Sequence, residues 1–124
     1  IVNVSSMAAL SGSGTYGAAY SASRASLLNF TKSSALQLSK YRIRVNAIMP
    51  GWARTPFTEH LYKEDKLRKS RENQIPLGRW GEPSEIAAGI LFLLSDDASY
   101  ITGSSILIDG GVTATSLQLK NQEN

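Results

Sequence analysis

The sequence predicts an α/β fold, a doubly wound parallel sheet of which the chain contributes three strands and their crossover helices. Three short apolar runs, residues 1–4, 43–49 and 104–111, read as strands, and helical patterns separate them. Connections of this length favour parallel strands joined by right-handed crossovers. Ligands of such sheets bind outside the carboxyl ends of the strands, which directs attention to the residues there.

The first strand, "IVNV", is β-branched and ends at the pair Ser5 and Ser6. We expect it to be buried. Residues 20–40 show helical periodicity, with small residues in the first turns. Four residues form the predicted apolar stripe and two more widen it: Leu28, Thr31, Ala35 and Leu38, with Leu27 and Phe30.

The second strand stops at Pro50 and Gly51. Residues 52–76 are polar and irregular, with a short helix predicted at 63–71, and their position after a strand end indicates a substrate lid. Pro83 opens a helix predicted to end near residue 94. Its predicted apolar face comprises Ile86, Ile90, Leu93 and Leu94. A glycine pair closes the third strand, and residues 116–124 are expected to be frayed or partner-dependent.

The composition restricts the function classes. With 124 residues, of which 42% are hydrophobic, the chain suffices for one domain with a core. The net charge of +3 is dispersed, and the densest charged run, residues 62–72, mixes both signs, so we predict no nucleic-acid partner. The longest apolar run, residues 89–94, is too short to span a membrane. The lack of cysteine and of a signal-peptide pattern suits a cytoplasmic protein, and the single His60 suggests no metal site.

The chain begins with Ile1, directly on a strand-like segment. We interpret residues 1–124 as the C-terminal catalytic half of a longer single domain. In isolation, the first strand would then have an uncovered edge, and dinucleotide binding would be weak.

Tyr20 and Arg24 are four residues apart, so on a helix they share one face. A tyrosine is a poor acid at neutral pH, and a neighbouring cation favours its phenolate form. Ser6, at the end of the adjacent strand, can present a hydroxyl to the same space. A serine donor beside a tyrosine acid suits a carbonyl oxygen that gains negative charge. On spacing alone, however, such a Tyr and Arg are more often a surface pair.

The surrounding motifs resemble those of the short-chain dehydrogenase/reductase family, in its single-domain type. "VNVSS" followed by "YSASR" resembles the family's serine turn and its Tyr-x-x-x-Lys. "IRVNAIMPGWARTP" resembles the strand that ends in Val-Asn and continues as Pro-Gly-x-x-x-Thr. "RWGEPSEIAAGILFLLSDDASYITGSSILIDGG" resembles the family's last helix and strand. The likeness extends with little interruption from residue 1 to about residue 111.

The resemblance implies a Rossmann-like fold and NAD or NADP as the cofactor. It implies that Tyr20 is the acid for reduction of a ketone or the base for oxidation of a secondary alcohol, and that Ser6 polarises the substrate oxygen. Arg24 would supply the charge and a donor to the cofactor ribose. The cofactor-binding residues would be Tyr20, Arg24, Pro50, Gly51, Ala53 and Thr55. Of these, Pro50, Gly51 and the backbone of Ala53 would border the nicotinamide. The family also commonly forms homodimers and homotetramers.

Two departures qualify these expectations. The family's lysine is replaced by Arg24. The planar guanidinium of arginine is larger than an ammonium group and places its donors differently, so we predict impaired turnover. The family's Gly-rich phosphate loop is not among these residues. "SGSGTYG", at residues 11–17, is interpreted as a substrate-side loop because it follows the serine turn. Both departures keep an alternative open, namely a non-catalytic relic or an assembly module of this fold.

Overall fold

The structure is a computed structural model that describes residues 1–114. Three strands, β1 (Val2–Val4), β2 (Asn46–Pro50) and β3 (Ser105–Ile108), form one parallel sheet in the order β1-β2-β3. The described helices are α1 (Gly17–Leu38), α2 (Glu59–Tyr62), α3 (Asp65–Glu72) and α4 (Pro83–Leu94). The predicted parallel α/β sheet with crossover helices is therefore confirmed. Residues 116–124 and the prediction made for them lie outside the described part.

Strand β2 forms the centre of the core because it pairs with β1 on one side and with β3 on the other. Its residues from Asn46 to Met49 are buried. The prediction that β1 is buried is wrong, since Val2 and Asn3 are only half-buried and Val4 is 48% exposed. The reason is that, within the described residues, β1 is an edge strand that pairs only with β2.

Helix α1 begins three residues before its predicted start and ends at Leu38, where a 3-10 turn continues to Tyr41. Thr31 and Ala35 are its buried residues, as the predicted stripe requires. Phe30, which was expected to widen that stripe, is 61% exposed, so this part of the prediction is wrong. One residue turns a helix by about 100°, and Phe30 thus points away from the face that Thr31 presents to the sheet.

Helix α4 has the predicted bounds. Pro83 occupies its first turn, and Glu82 and Glu85 form a reciprocal capping box that satisfies backbone N–H groups at the start. Leu93 is buried and Leu94 is 54% exposed, so the predicted apolar face is too wide at its end. Gly89 allows α4 to lie against β3, because a Cβ atom there would collide with the side chain of Ile108.

Two polar residues fulfil the structural roles that their context suggests. The Asn46 amide donates to the Ile101 carbonyl oxygen and accepts from the Ser104 N–H, which joins β2 to the segment before β3. Asp109 accepts from the N–H groups of Gly111 and Thr113 and from the Thr113 hydroxyl, so it organises the turn after β3.

The segment of residues 52–76 is more regular than predicted. It contains a 3-10 turn at Pro56–Thr58 as well as α2 and α3, and Leu61 and Ile75 anchor it to the core. Among the helices of residues 1–114, none combines the length and apolar character needed to cross a bilayer.

Candidate active site

The carboxyl ends of β1 and β2 open into a cavity of about 1000 Å³. Its walls come from the end of β1 and the loop after it, the start of α1, the end of β2, the 52–76 segment, and β3 with the turn that follows it. The predicted site residues that line it are Ser6, Tyr20, Pro50, Gly51, Ala53 and Thr55. The fold therefore brings six of the seven predicted site residues to one concave surface, and their roles stay a prediction.

The two serines after β1 have different environments. The Ser5 hydroxyl is buried and donates to the Arg24 carbonyl oxygen at 2.8 Å, so it ties the strand end to α1. The Ser6 oxygen accepts from the Ala8 N–H at 3.2 Å, at the start of the 3-10 turn Met7–Ala9. Because the Ser6 oxygen acts as an acceptor in this bond, its own hydrogen can be donated into the cavity.

Tyr20 lies on the first turns of α1 and is partly exposed to the cavity. The Arg24 guanidinium lies over the Tyr20 ring, with Cζ 5.0 Å from the ring centroid. Arg24 Nη1 also donates to the Val4 carbonyl oxygen at 3.4 Å. Arg24 is not among the described residues that line the cavity. The predicted cation is thus beside the tyrosine, against the ring face.

The loop after β2 presents backbone and small side chains to the cavity. The Gly51 N–H donates to the Ile108 carbonyl oxygen, which fixes the loop to the end of β3. A Cβ atom on Gly51 would lie 2.7 Å from the Asp109 Cα, so only glycine allows this close approach. Ala53 is buried and pairs with Gly81 in an isolated bridge. Thr55 takes part in a reciprocal cap with Thr58 and still reaches the cavity wall.

An aromatic wall completes the cavity. It consists of Trp52 and Phe57, which lie in the segment predicted as a substrate lid, and of Tyr16, just before α1. The Tyr16 ring centroid lies 5.0 Å from that of Tyr20, 5.3 Å from Phe57 and 6.3 Å from Trp52. The spacing of four residues between Tyr16 and Tyr20 was the available signal, since such residues share a helix face.

The Tyr16 hydroxyl is buried, and within the described part of the chain it has no hydrogen-bond partner. Burial and the neighbouring Tyr20 raise the pKa of Tyr16, against a lowering by the charge of Arg71. Tyr16 is therefore a neutral hydroxyl at physiological pH, available to donate or accept a hydrogen bond with a bound molecule.

Arg71, on α3, was not predicted as a site residue. It lines the cavity, donates through Nη2 to the Thr15 hydroxyl at 2.9 Å and lies over the Trp52 ring at 4.9 Å. No sequence signal could have identified it, because Thr15 is 56 positions away and α3 is rich in charges of both signs. The "SGSGTYG" loop lines the cavity through most of its residues, and its interpretation as a substrate-side loop stays a prediction.

His60 is exposed. In residues 1–114, no three His, Cys, Asp or Glu side chains are grouped so that they could hold a metal ion.

Comparison with known proteins identifies the family. Residues 1–113 match the family described as enoyl-(acyl carrier protein) reductase. The chain belongs to the short-chain dehydrogenase/reductase family. Its relatives include the 3-oxoacyl-[acyl-carrier-protein] reductase of Thermotoga maritima, 47% identical over 112 residues, and the cyclopentanol dehydrogenase of Comamonas sp., 40% identical over 114 residues. These matches cover 90% and 92% of this chain but 44% and 45% of the relatives.

Solved structures of short-chain dehydrogenases have the same fold. A 4-hydroxyisoleucine dehydrogenase complexed with NADH is 40% identical, with a TM-score of 0.88 over 94% of this chain and 47% of that one. A gluconate 5-dehydrogenase from Burkholderia cenocepacia J2315, in complex with NADP and tartrate, is 26% identical, with a TM-score of 0.87 over 94% of this chain and 45% of that one. The chain thus spans about half the length of the relatives it matches.

Proposed function

We propose that the protein is an NAD(P)-dependent oxidoreductase that transfers a hydride between nicotinamide and a secondary alcohol or its ketone. The observation that carries this proposal is that Ser6 and Tyr20 come from two different elements and line one cavity at the carboxyl ends of β1 and β2. This is where parallel α/β sheets bind their ligands.

In the direction of reduction, Tyr20 donates its hydroxyl proton to the carbonyl oxygen of the substrate. Ser6 donates a hydrogen bond to the same oxygen and stabilises the charge that develops there. The bond from the Ala8 N–H to Ser6 supports this role, because it orients the hydroxyl toward donation into the cavity. In the direction of oxidation, Tyr20 accepts the proton from the alcohol.

Arg24 is proposed to supply positive charge next to Tyr20. Its position over the Tyr20 ring supports an electrostatic role, and its bond to the Val4 carbonyl oxygen fixes the guanidinium at the end of β1. A guanidinium held by the ring and by the strand has less freedom to reach a cofactor ribose than the family's lysine. We therefore propose that turnover is reduced relative to a lysine-containing relative.

The cavity can accommodate the nicotinamide end of a dinucleotide. When bound, this cofactor supplies the hydride that is added to the substrate carbon. The side that would hold it consists of Pro50, Gly51, Ala53 and Thr55, where backbone and small side chains leave room for a flat ring. The neighbours solved with NADH and with NADP support NAD or NADP as this cofactor.

Residues 52–76 are proposed as a substrate lid, because Phe57, Arg71 and Gln74 of this segment line the cavity.

Self-association into a homodimer or homotetramer is proposed through the outer faces of α1 and α4. Several large apolar side chains there are more than half exposed: Phe30, Leu36, Leu91 and Leu94. Sedimentation would test the assembly, and cell fractionation would test the predicted cytoplasmic location.

The decisive experiment is done in the full-length protein, because residues 1–124 alone are expected to bind dinucleotide weakly. It compares the wild type with Tyr20→Phe and Ser6→Ala in the reduction of a panel of ketones with NADH and NADPH. We expect Tyr20→Phe to lower kcat by a factor of about 100 or more, with a much smaller loss of dinucleotide affinity. Ser5→Ala is the matched control for Ser6→Ala. Dinucleotide binding without reduction of any ketone, or no binding at all, would instead favour the non-catalytic alternative.

A further inference from the structure

We propose that Arg71 is a substrate-binding residue that recognises a carboxylate, so that the substrates are small hydroxy acids and their keto acids. This inference rests on the proposed function, because it assumes that the carbonyl group is held by Ser6 and Tyr20. Arg71 would bind the other end of the same molecule.

Within residues 1–114, the charge of Arg71 has no carboxylate counterion. Among the described residues that line the cavity, Arg71 is the one with a full charge at neutral pH, and the others are uncharged. No described carboxylate lies within 4 Å of its guanidinium nitrogens. An unpaired cation in a partly buried cavity favours an anionic ligand, since the ligand restores the interaction energy lost with water.

The guanidinium is held in a fixed orientation with donors to spare. It lies over the Trp52 ring, and Nη2 donates to the Thr15 hydroxyl. Its Nε is buried and has no partner within residues 1–114. A guanidinium fixed in this way can bind a carboxylate through two parallel hydrogen bonds, which a lysine cannot do.

The arrangement of the aromatic wall connects this cation to the catalytic tyrosine. The Tyr16 ring contacts both Tyr20 and Trp52, and Trp52 in turn contacts Arg71. The charge of Arg71 also acts on the Tyr16 hydroxyl, which is buried and unpartnered in the described chain. A small keto acid would therefore lie along Tyr16, with its carbonyl group toward Tyr20 and its carboxylate toward Arg71 and the Tyr16 hydroxyl.

Two other roles for Arg71 are possible outcomes of the test. Arg71 could bind a phosphate of the dinucleotide, or it could act only as a strut that joins α3 to the loop after β1 through Thr15. The bond from Arg71 to Thr15, in the 11–17 loop that is interpreted as the substrate-side loop, favours the substrate over the cofactor.

The test uses three keto acids, pyruvate, acetoacetate and levulinate, each paired with its neutral primary amide. The pairs place the ketone at increasing distances from the carboxylate. Wild-type protein, Arg71→Met, Arg71→Lys and the control Lys69→Met are compared. Lys69 is an exposed cation of the same helix that does not line the cavity.

For at least one pair, we expect the wild-type kcat/KM to be about 10- to 100-fold higher for the acid than for the amide. Arg71→Met should abolish this preference mainly through KM and leave the amide unaffected, and Arg71→Lys should restore it in part. Lys69→Met should behave as wild type.

If Arg71→Met lowered kcat/KM equally for acid and amide, Arg71 would act only as a strut between α3 and the loop after β1. If Arg71→Met weakened NAD(P)H binding and left the acid preference intact, Arg71 would be a ligand of a dinucleotide phosphate. Either result would overturn the proposal.

A second readout separates this inference from the proposed function. Trp52 lies under Arg71, so quenching of tryptophan fluorescence reports binding of the acids and amides directly, without turnover. If no ketone is reduced, the proposed function fails. The inference is still supported if the acids bind more tightly than the amides to wild type but not to Arg71→Met, and it is overturned if acids and amides bind equally.

Discussion

The guanidinium of Arg24 lies over the ring of Tyr20, with 5.0 Å between Cζ and the ring centroid, and is tied to the carbonyl oxygen of Val4. Contacts of this kind between a cation and an aromatic ring are worth roughly 0.5–2 kcal/mol. The pair therefore orients the proposed catalytic tyrosine at the end of β1. It also keeps the cation against the ring, away from the cavity that the substrate would enter.

Arg24→Lys should raise the turnover of ketone reduction. A lysine ammonium is a compact charge on a flexible stem, and it can reach the cavity where the planar fork of Arg24 cannot. We expect kcat to increase about tenfold, a fraction of the range available to general acid–base catalysis. The measurement is steady-state kinetics with saturating NADH and with saturating NADPH.

Arg24→Met is the matched control, because it keeps much of the side-chain volume and removes the charge. It should lower kcat below that of the wild type. If lysine, arginine and methionine at this position all gave the same kcat, a role for this charge in proton transfer would be excluded.

The fold could be predicted because its signals are local. Pro83, the capping residues around it and the apolar run that follows fixed helix α4 to the residue, and Pro50 with Gly51 marked the end of β2. The extent of burial was less predictable. Phe30 and Leu94 are apolar but exposed, because burial depends on which elements cover a face, and the residue pattern of one helix does not contain that information.

Some residues of the candidate site could be predicted from local sequence signals, and others could not. Ser6 and Tyr20 follow a recognisable strand and open a recognisable helix, so the sequence predicts where both would lie. Arg71 could not be predicted as a site residue, since its role arises from contacts with Trp52 and Thr15 across the fold. For Tyr16, the spacing of four residues to Tyr20 was a signal, but its contact with Trp52 depends on the fold. The geometry of Arg24 was also beyond sequence reasoning, because spacing gives the shared face of a helix but not the rotamer.

Gly51→Ala should destabilise the protein by about 1 to 3 kcal/mol, as overpacking commonly does. The added Cβ would lie 2.7 Å from the Cα and 2.8 Å from the Cβ of Asp109, so backbone must move. Since Gly51 borders the cavity, the shift should also weaken dinucleotide binding. Urea unfolding and a binding titration would measure the two effects. Gly12→Ala is the control, because a Cβ there meets no atom within 4 Å, and a similar loss in both variants would contradict this explanation.

Asn46→Ala should cost about 2 to 4 kcal/mol of unfolding free energy, because it leaves buried groups without partners. Asn46 is 1% exposed and bonds to the Ile101 carbonyl oxygen at 2.8 Å and the Ser104 N–H at 3.0 Å. The measurement is urea unfolding followed by circular dichroism. Asn29→Ala, at an exposed position of α1, should change stability by only a few tenths of a kcal/mol. Comparable losses at the two positions would show that the amide of Asn46 is not what joins the strands.

Glu85→Gln should destabilise the protein at neutral pH and have a smaller effect in acid. The Arg79 guanidinium, which bonds to both oxygens of Glu85, and the Glu82 N–H lower the pKa of Glu85 from 4.5 to about 2. A carboxyl group with a lowered folded-state pKa contributes stability that is present above pH 4.5 and is lost as the pH falls toward 2. The difference between wild type and Glu85→Gln should therefore be constant near pH 7 and shrink across that acid range, as measured by thermal unfolding. Because the pair is exposed, added salt should reduce the difference.

Glu64→Gln is the control, since the Glu64 side chain makes no capping bond at the start of α3. If the stability difference between wild type and Glu85→Gln stayed constant down to pH 2, the ionised Glu85 carboxylate would not be its source.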